Sequence, residues 1–263
     1  MRVLRFTPKP GGDLGNDPLF GILEDDEKTI SVITGDPLFN GVQRSGQATT
    51  LDEVRLLAPV LPRSKVVCVG KNYSEHAKEM GGDVPAEPII FLKPNTSVAG
   101  PNDVIHWPWM SERIDHETEL AIVIGRICKD VPRERASEVI FGYTIGNDVT
   151  ARDLQSRDGQ WTRAKGFDTF CPLGPWIDTD FIPVNQEITC TVNGEVKQKA
   201  TLNQMMFGVD EIIHFISSVM TLRPGDVILT GTPAGIGPIP EKATVTCAIS
   251  GLGELTNKLS ARG

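Results

Sequence analysis

The stretch DHETELAIVIG, residues 115–125, contains a predicted buried β-strand that is preceded by acidic residues. Side chains two positions apart share one face of a strand, so Glu117 and Glu119 lie on the same face. Residues 120–124 are apolar on both faces, which predicts a strand that is covered on both sides. Two carboxylates on such a strand repel each other and lose solvation, so their presence requires compensation.

A divalent cation shared by the two glutamates would offset this repulsion, and oxygen ligands alone suit Mg²⁺, Mn²⁺ or Ca²⁺ rather than Zn²⁺. We expect the third ligand to be Asp148 in GYTIGNDVTARD, because it follows an apolar run, although Asn-Asp is also typical of turns. Asp115 and Asp103 are weaker candidates. The alternative is an exposed strand end whose glutamates bind nothing, and the spacing alone favours that alternative.

The composition is that of a globular protein with many turns. The chain has 263 residues, 26 of them Gly and 19 Pro, which favours a strand-rich fold. The net charge of −8 and the lack of a basic cluster argue against nucleic acid as a partner. The N-terminus does not resemble a signal peptide, and the apolar runs are too short to span a membrane. The five cysteines contain no CxxC pair. We therefore expect a cytoplasmic protein with reduced thiols.

Short apolar runs bounded by Pro, Gly, Asn or Asp predict a series of β-strands. The predicted strands cover residues 2–6, 19–23, 30–33, 66–69, 89–92, 120–124, 141–145, 188–192, 227–230 and 243–250. The predicted helices cover residues 74–80, with Gly81 and Gly82 as a stop, 132–139 and 206–220. The fold class is therefore mainly β with few helices (α+β) and no regular βαβ alternation. We expect a small N-terminal domain over residues 1–58 and a larger domain over residues 59–263.

The larger domain resembles the fumarylacetoacetate hydrolase family in six motifs that occur in the family's order. They are VCVGKNYSEHAKEMG, PIIFLKP, DHETELAIVIG, GYTIGNDVTARDLQ, QWTRAKGFDTFCPLGPWI and MTLRPGDVILTGTPAGIG. The resemblance begins near residue 66, and the N-terminal segment is similar to that of the bacterial branch of oxaloacetate decarboxylases and isomerases. It implies a mixed β-sandwich roll, one Mg²⁺ or Mn²⁺ on Glu117, Glu119 and Asp148 in a deep cleft, and a homodimer.

The resemblance also implies roles for four further residues. Lys165 in RAKGFD, which alone would be interpreted as a surface lysine, is expected to bind a substrate carboxylate or stabilise an enolate oxygen. Gln155 corresponds to a position that orients substrate or water, and Arg152 is either a substrate ligand or a structural ion-pair partner. Thr232 adds a hydroxyl to the glycine-rich turn LTGTPAGIG. The backbone N–H groups of this turn are expected to bind a carboxylate. The alternative is a strand-to-loop turn that binds no ligand.

His76 and Glu79 stand three residues apart on the predicted helix over residues 74–80, close enough to interact. A carboxylate next to an imidazole orients it and raises its basicity, which gives a general base for water. Such a pair is more often an exposed pair without a role, but NYSEHAKEM matches the family's His–Glu dyad. Because so short a helix is marginal in water, we expect residues 72–82 to form a lid that the substrate orders.

The expected chemistry follows from the ion. A 2-oxo acid chelates a divalent cation through its carboxylate and keto oxygens, and the cation draws electrons from the carbonyl. We expect hydrolysis of an acylpyruvate or decarboxylation of oxaloacetate, in each case through an enolate of a small anionic 2-oxo acid. The alternatives are a 2-hydroxyhepta-2,4-diene-1,7-dioate (5-carboxymethyl-2-hydroxymuconate) isomerase of aromatic catabolism and a non-catalytic metabolite-binding relative.

Overall fold

The protein is mainly β, as predicted, and its helices are short. The computed structural model describes residues 1–11, 14–81 and 85–263. The strands are β1 (Arg2–Pro8), β2 (Leu19–Leu23), β3 (Thr29–Ile33), β4 (Arg44–Thr50), β5 (Val54–Leu57), β6 (Val66–Gly70), β7 (Ile89–Lys93), β8 (Val98–Ala99), β9 (Val104–Ile105), β10 (Ile114–His116), β11 (Thr118–Ile124), β12 (Ile140–Asn147), β13 (Thr150–Ala151), β14 (Cys171–Asp178), β15 (Glu187–Val192), β16 (Glu195–Thr201), β17 (Val227–Leu229), β18 (Gly237–Pro238), β19 (Thr244–Ile249) and β20 (Gly253–Leu259). The α-helices are α1 (Pro37–Asn40), α2 (Ser74–Glu79), α3 (Arg152–Asp158), α4 (Thr162–Lys165) and α5 (Val209–Val219), and 3-10 helices cover Leu51–Glu53, Asn95–Ser97, Arg133–Val139 and Leu202–Gln204. Within these described ranges, no helix has both the length and the apolar content that a membrane crossing requires.

Most strands belong to one mixed sheet of twelve strands, whose main path is β4-β3-β2-β1-β14-β12-β11-β17-β6-β7. A second sheet has the order β16-β15-β19-β20-β9, and a small third sheet has the order β13-β10-β18. Leu120 and Ile122 on one face of β11 share a core cluster with Ile188 of β15 and Val245 of β19. The second sheet therefore packs against the large sheet through this face.

Strand β11 lies inside the large sheet, between β12 and β17, and all of its residues are buried. On the face opposite Leu120, Ala121 and Val123 pack in a separate cluster with Val66 and Leu229. The prediction that both faces of this strand are covered is therefore confirmed. Because β12 runs antiparallel to β11, the start of β11 lies beside the end of β12.

The predicted helices are partly correct. Helices α2 and α5 lie within predicted ranges, whereas the predicted helix over residues 132–139 is a 3-10 helix that covers Arg133–Val139. Gly81 follows α2 with a φ of 69°, a left-handed conformation that ends helices, whereas Gly82 lies outside the described residues. The sequence pattern does not predict α3 and α4, because both are too short and too polar to show an apolar stripe.

The N-terminal strands extend the large sheet. Strand β1 pairs with β2 and β5, and it also pairs with β14 through Val3 opposite Ile177. Leu4 and Phe6 of β1 nevertheless pack in a cluster with Ile30 and Val54, apart from the main core. The division of the chain into domains of residues 1–58 and 59–263 stays a prediction.

Candidate metal centre and active site

Three buried carboxylates meet where β11 begins and β12 ends. Glu117 precedes β11, Glu119 is its second residue and Asp148 directly follows β12. One oxygen of each carboxylate lies within 4.8 Å of the other two. Backbone pairing explains this convergence, because the Asp148 N–H donates to the Glu117 carbonyl oxygen at 2.8 Å. The structure thus brings together the three residues that the sequence proposes as ligands.

The two weaker ligand candidates make other contacts. Asp103 pairs with Arg55 at the surface. Asp115 is fully buried, but its carboxylate accepts hydrogen bonds from Arg113 at 2.8 Å and from Arg152 at 2.9 Å. Among the described residues, neither aspartate belongs to the acidic group that could hold an ion.

Three buried cations surround the carboxylate triad. The Lys165 ammonium donates to Glu117 Oε2 at 2.7 Å and to Asp148 Oδ2 at 2.6 Å, so it bridges two members. The Lys93 ammonium donates to the second oxygen of Asp148, and the Arg152 guanidinium donates to the second oxygen of Glu117. The protein's own charges therefore offset much of the repulsion that the acidic strand creates.

Lys93 is a member of this site that the sequence interpretation missed. It is the last residue of β7, and its side chain is fully buried. Its ammonium also donates to the Val149 carbonyl oxygen at 3.2 Å. The signal in the sequence is a lysine that closes the apolar run IIFL directly before a proline, because a lysine in a buried strand requires an anionic partner.

The surroundings shift the pKa values of the two glutamates in opposite directions. Burial raises the pKa of Glu117, but the charges of Lys165 and Arg152 outweigh burial and hold it well below its ordinary value. Burial also raises the pKa of Glu119, and the negative charges of Asp148 and Glu117 raise it further. Of the two glutamates, Glu119 is therefore the one that binds a proton more readily.

The triad fits a hard divalent cation. The Glu119 carboxylate accepts the Gly231 N–H at 2.7 Å, and it forms no ion pair with any lysine or arginine in the described part of the chain. A set of oxygen ligands in which one carboxylate has no cationic partner suits Mg²⁺ or Mn²⁺. Glu117, Glu119 and Asp148 are thus the residues that would hold the ion.

Arg152 and Gln155 lie one turn apart on α3 and act together. The Arg152 guanidinium donates to Asp115 at 2.9 Å and to the Gln155 side-chain oxygen at 2.6 Å, in addition to Glu117. Of the two interpretations of Arg152, these contacts support the ion-pair partner. The oxygen of Gln155 accepts from Arg152, and its amide N–H groups, for which the described residues supply no partner, remain as donors for a ligand.

His76 and Glu79 form the contact that their spacing predicts. His76 Nδ1 lies 3.2 Å from Glu79 Oε2, and the His76 side chain is buried. The Glu79 carboxylate also accepts the Gly235 N–H at 3.1 Å, which connects α2 to the glycine-rich loop. The Gly231 N–H donates to Glu119, so the N–H groups of Gly231 and Gly235 both bind carboxylates of the protein. The sequence analysis instead expects the N–H groups of this loop to bind a carboxylate of the substrate.

Thr232 lies beside the start of β11, and its hydroxyl is held by two neighbours. It donates to the Thr118 carbonyl oxygen at 2.9 Å and accepts from the Gln198 amide at 2.8 Å. Gln198 of β16 is fully buried and also accepts the Thr118 N–H at 3.1 Å. The sequence gives no signal for Gln198, because the segment EVKQKAT reads as a polar surface strand.

All the sequence-predicted site residues except Glu79 line one cavity of about 30 Å³. Glu79 does not line the cavity itself, but it contacts His76, which does. The triad forms its buried end, and the half-buried residues Lys71, Met80 and Trp161 form its outer end. The candidate site is therefore one continuous cavity, and the carboxylates of Glu117, Glu119 and Asp148 form its acidic floor.

Comparisons with known proteins agree with this arrangement. Residues 65–260 match the family model described as fumarylacetoacetate (FAA) hydrolase C-terminal, and residues 1–59 match the model described as Rv2993c-like, N-terminal. The chain belongs to the fumarylacetoacetate hydrolase family. The resemblance that the six motifs predict is thus confirmed.

Several members of the fumarylacetoacetate hydrolase family are similar over most of the chain. Protein Rv2993c of Mycobacterium tuberculosis is 55% identical over 273 aligned positions, which cover 100% of this chain and 99% of that protein. The mitochondrial oxaloacetate decarboxylase of Dictyostelium discoideum is 46% identical, covering 72% of this chain and 89% of that protein. The structure of 2-hydroxyhepta-2,4-diene-1,7-dioate isomerase from Mycobacterium marinum gives a TM-score of 0.89 and 50% identity, covering 100% of this chain and 99% of that chain. The structure of fumarylpyruvate hydrolase from Pseudomonas aeruginosa in complex with Mn²⁺ and pyruvate gives a TM-score of 0.73 and 35% identity. It covers 82% of this chain and 94% of that chain.

These fumarylacetoacetate hydrolase relatives include a decarboxylase, an isomerase and a hydrolase, so the prediction of an enzyme is confirmed. Metal-dependent decarboxylation or hydrolysis of an oxo acid fits the family, and at least one relative binds a divalent metal ion. The roles of the individual site residues stay predictions.

Proposed function

We propose that this chain catalyses Mg²⁺- or Mn²⁺-dependent hydrolysis or decarboxylation of a small anionic 2-oxo acid. The observation that carries the proposal is the buried triad of Glu117, Glu119 and Asp148, with Lys165 bridging two of its members. A divalent cation bound by this triad supplies Lewis-acid polarisation of the 2-oxo group. Burying so many charges is costly, so the cluster is better explained by ligand binding than by stability.

The side chains around the triad supply the donors that an enolate requires. Burial lowers the pKa of Lys165, but the charges of Asp148 and Glu117 outweigh burial and leave it above its ordinary value. Lys165 therefore stays protonated and stabilises negative charge that develops on the 2-oxo oxygen. Gln155 presents its amide N–H groups to the substrate, and Arg152 holds both Gln155 and Glu117 in position.

Thr232 contributes an acceptor to the substrate. Its hydroxyl proton is used by the Thr118 carbonyl oxygen, and one lone pair is used by the Gln198 amide. The remaining lone pair is therefore available to a donor such as an enol hydroxyl. We propose this role in place of a donor to a substrate carboxylate.

His76 acts as the general base in the hydrolytic reaction. When Nδ1–H donates to Glu79, Nε2 is the basic nitrogen that takes a proton from water. The water oxygen then bonds to C4 of an acylpyruvate, the C3–C4 bond breaks, and its electron pair passes into the pyruvate enolate beside Lys165. The acyl group leaves as a carboxylic acid, and protonation of C3 completes the reaction.

Helix α2 forms part of the wall of this small cavity of about 30 Å³, because His76 lines it. Helix α2 carries His76, and its end is held to the glycine-rich loop through Glu79 and Gly235. We therefore propose that α2 opens and closes over the site. The predicted lid spans residues 72–82, of which residue 82 lies outside the described part of the chain. Equal, high amide protection of residues 72–81 with and without substrate would contradict this lid.

Pyruvate release tests the proposed function. Purified protein with Mn²⁺ or Mg²⁺ is given oxaloacetate or acetylpyruvate, and pyruvate is measured by coupled oxidation of NADH with lactate dehydrogenase. Because free metal ions also decarboxylate oxaloacetate, the Glu119→Gln protein at the same metal concentration is the matched control. We expect metal-dependent pyruvate release above this control, and equal rates for both proteins on both substrates would refute the proposal.

A second candidate activity is isomerisation of 2-hydroxyhepta-2,4-diene-1,7-dioate. It is favoured by the isomerase structure from Mycobacterium marinum, which aligns over the whole chain at 50% identity. This reaction moves protons without breaking a carbon–carbon bond. An ultraviolet change of the dienoate, without pyruvate from oxaloacetate or acetylpyruvate, would assign the isomerase.

We also propose that the protein is a cytoplasmic homodimer, as the family resemblance implies. All five cysteines are free thiols, which supports a reducing compartment. Sedimentation equilibrium tests the dimer, since a mass near 28.6 kDa would indicate a monomer.

A further inference from the structure

Lys71 stands at the outer end of the active-site cavity, directly after β6. It lines the same cavity as the carboxylate triad and is half-buried. Gly70 before it leaves room for the Trp161 ring, which would lie only 2.8 Å from a Cβ atom at that position. Lys71 is therefore placed beside an aromatic wall, on the side of the cavity away from the acidic floor.

The backbone of Lys71 is held in an unusual conformation. Its φ is +57°, in the left-handed region that glycine adopts without penalty and that other residues adopt at an energetic cost. Such conformations in non-glycine residues cluster at ligand-binding sites. Lys71 combines this conformation with a place in the wall of the active-site cavity.

The other cations of the cavity are already committed. Lys165 bridges Glu117 and Asp148, and Arg152 pairs with Glu117 and Asp115. In the described ranges, Lys71 takes part in no ion pair, so it is the basic residue lining the cavity whose charge remains for a ligand.

We propose that Lys71 binds a second carboxylate of the substrate, so that the enzyme selects 2-oxo acids with two carboxylates. This inference rests on the proposed function, which places the 2-oxo acid head at the triad. A substrate bound in that way extends its other end toward the outer wall. The ammonium of Lys71 meets a distal carboxylate there and leaves an uncharged tail without a partner.

The position of Lys71 also distinguishes between the candidate reactions. In decarboxylation, the leaving carboxylate loses its negative charge as CO₂ forms and its electron pair passes to the adjacent carbon. A cation bound to that carboxylate stabilises the ground state more than the transition state and so slows the reaction. The carboxylate bound by Lys71 is therefore one that the product retains, as in hydrolysis or isomerisation of a longer dicarboxylate.

Binding of unreactive matched acids tests this role. The pairs are 2-oxoglutarate with 2-oxopentanoate and 2-oxoadipate with 2-oxohexanoate, which differ only in the distal carboxylate or methyl group. Each acid is titrated calorimetrically into wild-type, Lys71→Met, Lys71→Arg and Lys199→Met proteins in the presence of Mn²⁺. Lys199 is the matched control, because it is an exposed lysine that pairs with Glu187 and lies outside the cavity.

We expect wild-type protein to prefer the dicarboxylate by about tenfold in at least one pair, the range of a charge-assisted contact at a half-buried site. The Lys71→Met protein should lose this preference while binding the monocarboxylate as before, Lys71→Arg should keep part of it, and Lys199→Met should keep all of it. An equal preference in wild-type and Lys71→Met proteins overturns the role of Lys71. Failure of all four acids to bind wild-type protein with Mn²⁺ overturns the proposed function itself.

Discussion

Replacement of Lys93 by methionine tests whether buried cations hold the carboxylate triad together. Methionine fills similar space but removes the ammonium that donates to Asp148 and to the Val149 carbonyl oxygen. The side chains of Lys93 and Asp148 are 0% and 1% exposed, so water does not replace the lost contact. Removing one partner of a buried ion pair costs about 3–5 kcal/mol, because the other charge stays buried.

This loss is large enough to measure by thermal unfolding. A change of 1 kcal/mol shifts the Tm of a protein of this size by about 2–4 °C, so we expect Lys93→Met to unfold roughly 6–20 °C below wild type. The matched control is Lys199→Met, which removes a lysine from an exposed pair with Glu187, 2.9 Å apart. Exposed pairs contribute at most about 1 kcal/mol, so this variant should unfold close to wild type.

Addition of Mn²⁺ separates the charge effect from simple packing. A divalent cation at the triad compensates the Asp148 charge, so it should raise the Tm of Lys93→Met more than that of wild type. Lys93→Met protein that is as stable as Lys199→Met would refute the reasoning. Equal Mn²⁺ shifts in both proteins would show that the loss arises from packing rather than from the uncompensated carboxylate.

Three further predictions concern the same site. Glu119→Gln should weaken Mn²⁺ binding by at least ~100-fold, because loss of a metal ligand should cost more than the 10–100-fold loss caused by removing a residue that only orients a ligand. Calorimetric titration with Mn²⁺ measures this affinity, and circular dichroism checks that the variant is folded. His76→Asn should leave Mn²⁺ affinity near wild type and lower kcat for acetylpyruvate by about 10²–10⁴-fold; a fully active variant would exclude the dyad as the base. The pKa of Glu117 lies below its ordinary value of 4.5, so its contribution to stability is complete above that pH and is lost as pH falls through the lowered value. Unfolding measured between neutral and acid pH with a chelator should show this loss in wild type and a weaker pH dependence in Glu117→Gln.

The strands of the fold are largely predictable from the sequence, because alternating or continuous apolar runs have direct physical causes. The run that becomes β11 is apolar on both faces, and both faces are buried in the structure. Helices α3 and α4 are not predictable in this way, since each has seven or fewer residues and is mostly polar. They form because tertiary contacts, such as those of Arg152 with Asp115 and Glu117, stabilise them.

The carboxylates of the site are predictable, but their compensation is not. The pattern around Glu117 and Glu119 shows that buried acids need a partner, and chain order cannot show which cations supply it. Lys165 is 48 residues from Glu117, and Lys93 is 55 residues from Asp148. Gln198 is harder still to predict, because its strand is polar and it is distinguished by buried contacts such as those with Thr118 and Thr232.

The identity of the reaction is decided away from the triad. Carboxylates, Lys165 and a divalent cation stabilise an enolate regardless of whether it arises by loss of CO₂, by attack of water or by proton transfer. The outer wall differs in kind, because Lys71, Met80 and Trp161 line the cavity beyond the triad. The proposed binding mode places there the part of a substrate that distinguishes one 2-oxo acid from another. In the proposed mechanism, the charge of Lys71 at this wall acts on the retained end of the molecule, whereas His76 on α2 acts on water. Substitutions of the outer wall should therefore change which substrate is used, and substitutions of the triad should abolish the use of all of them.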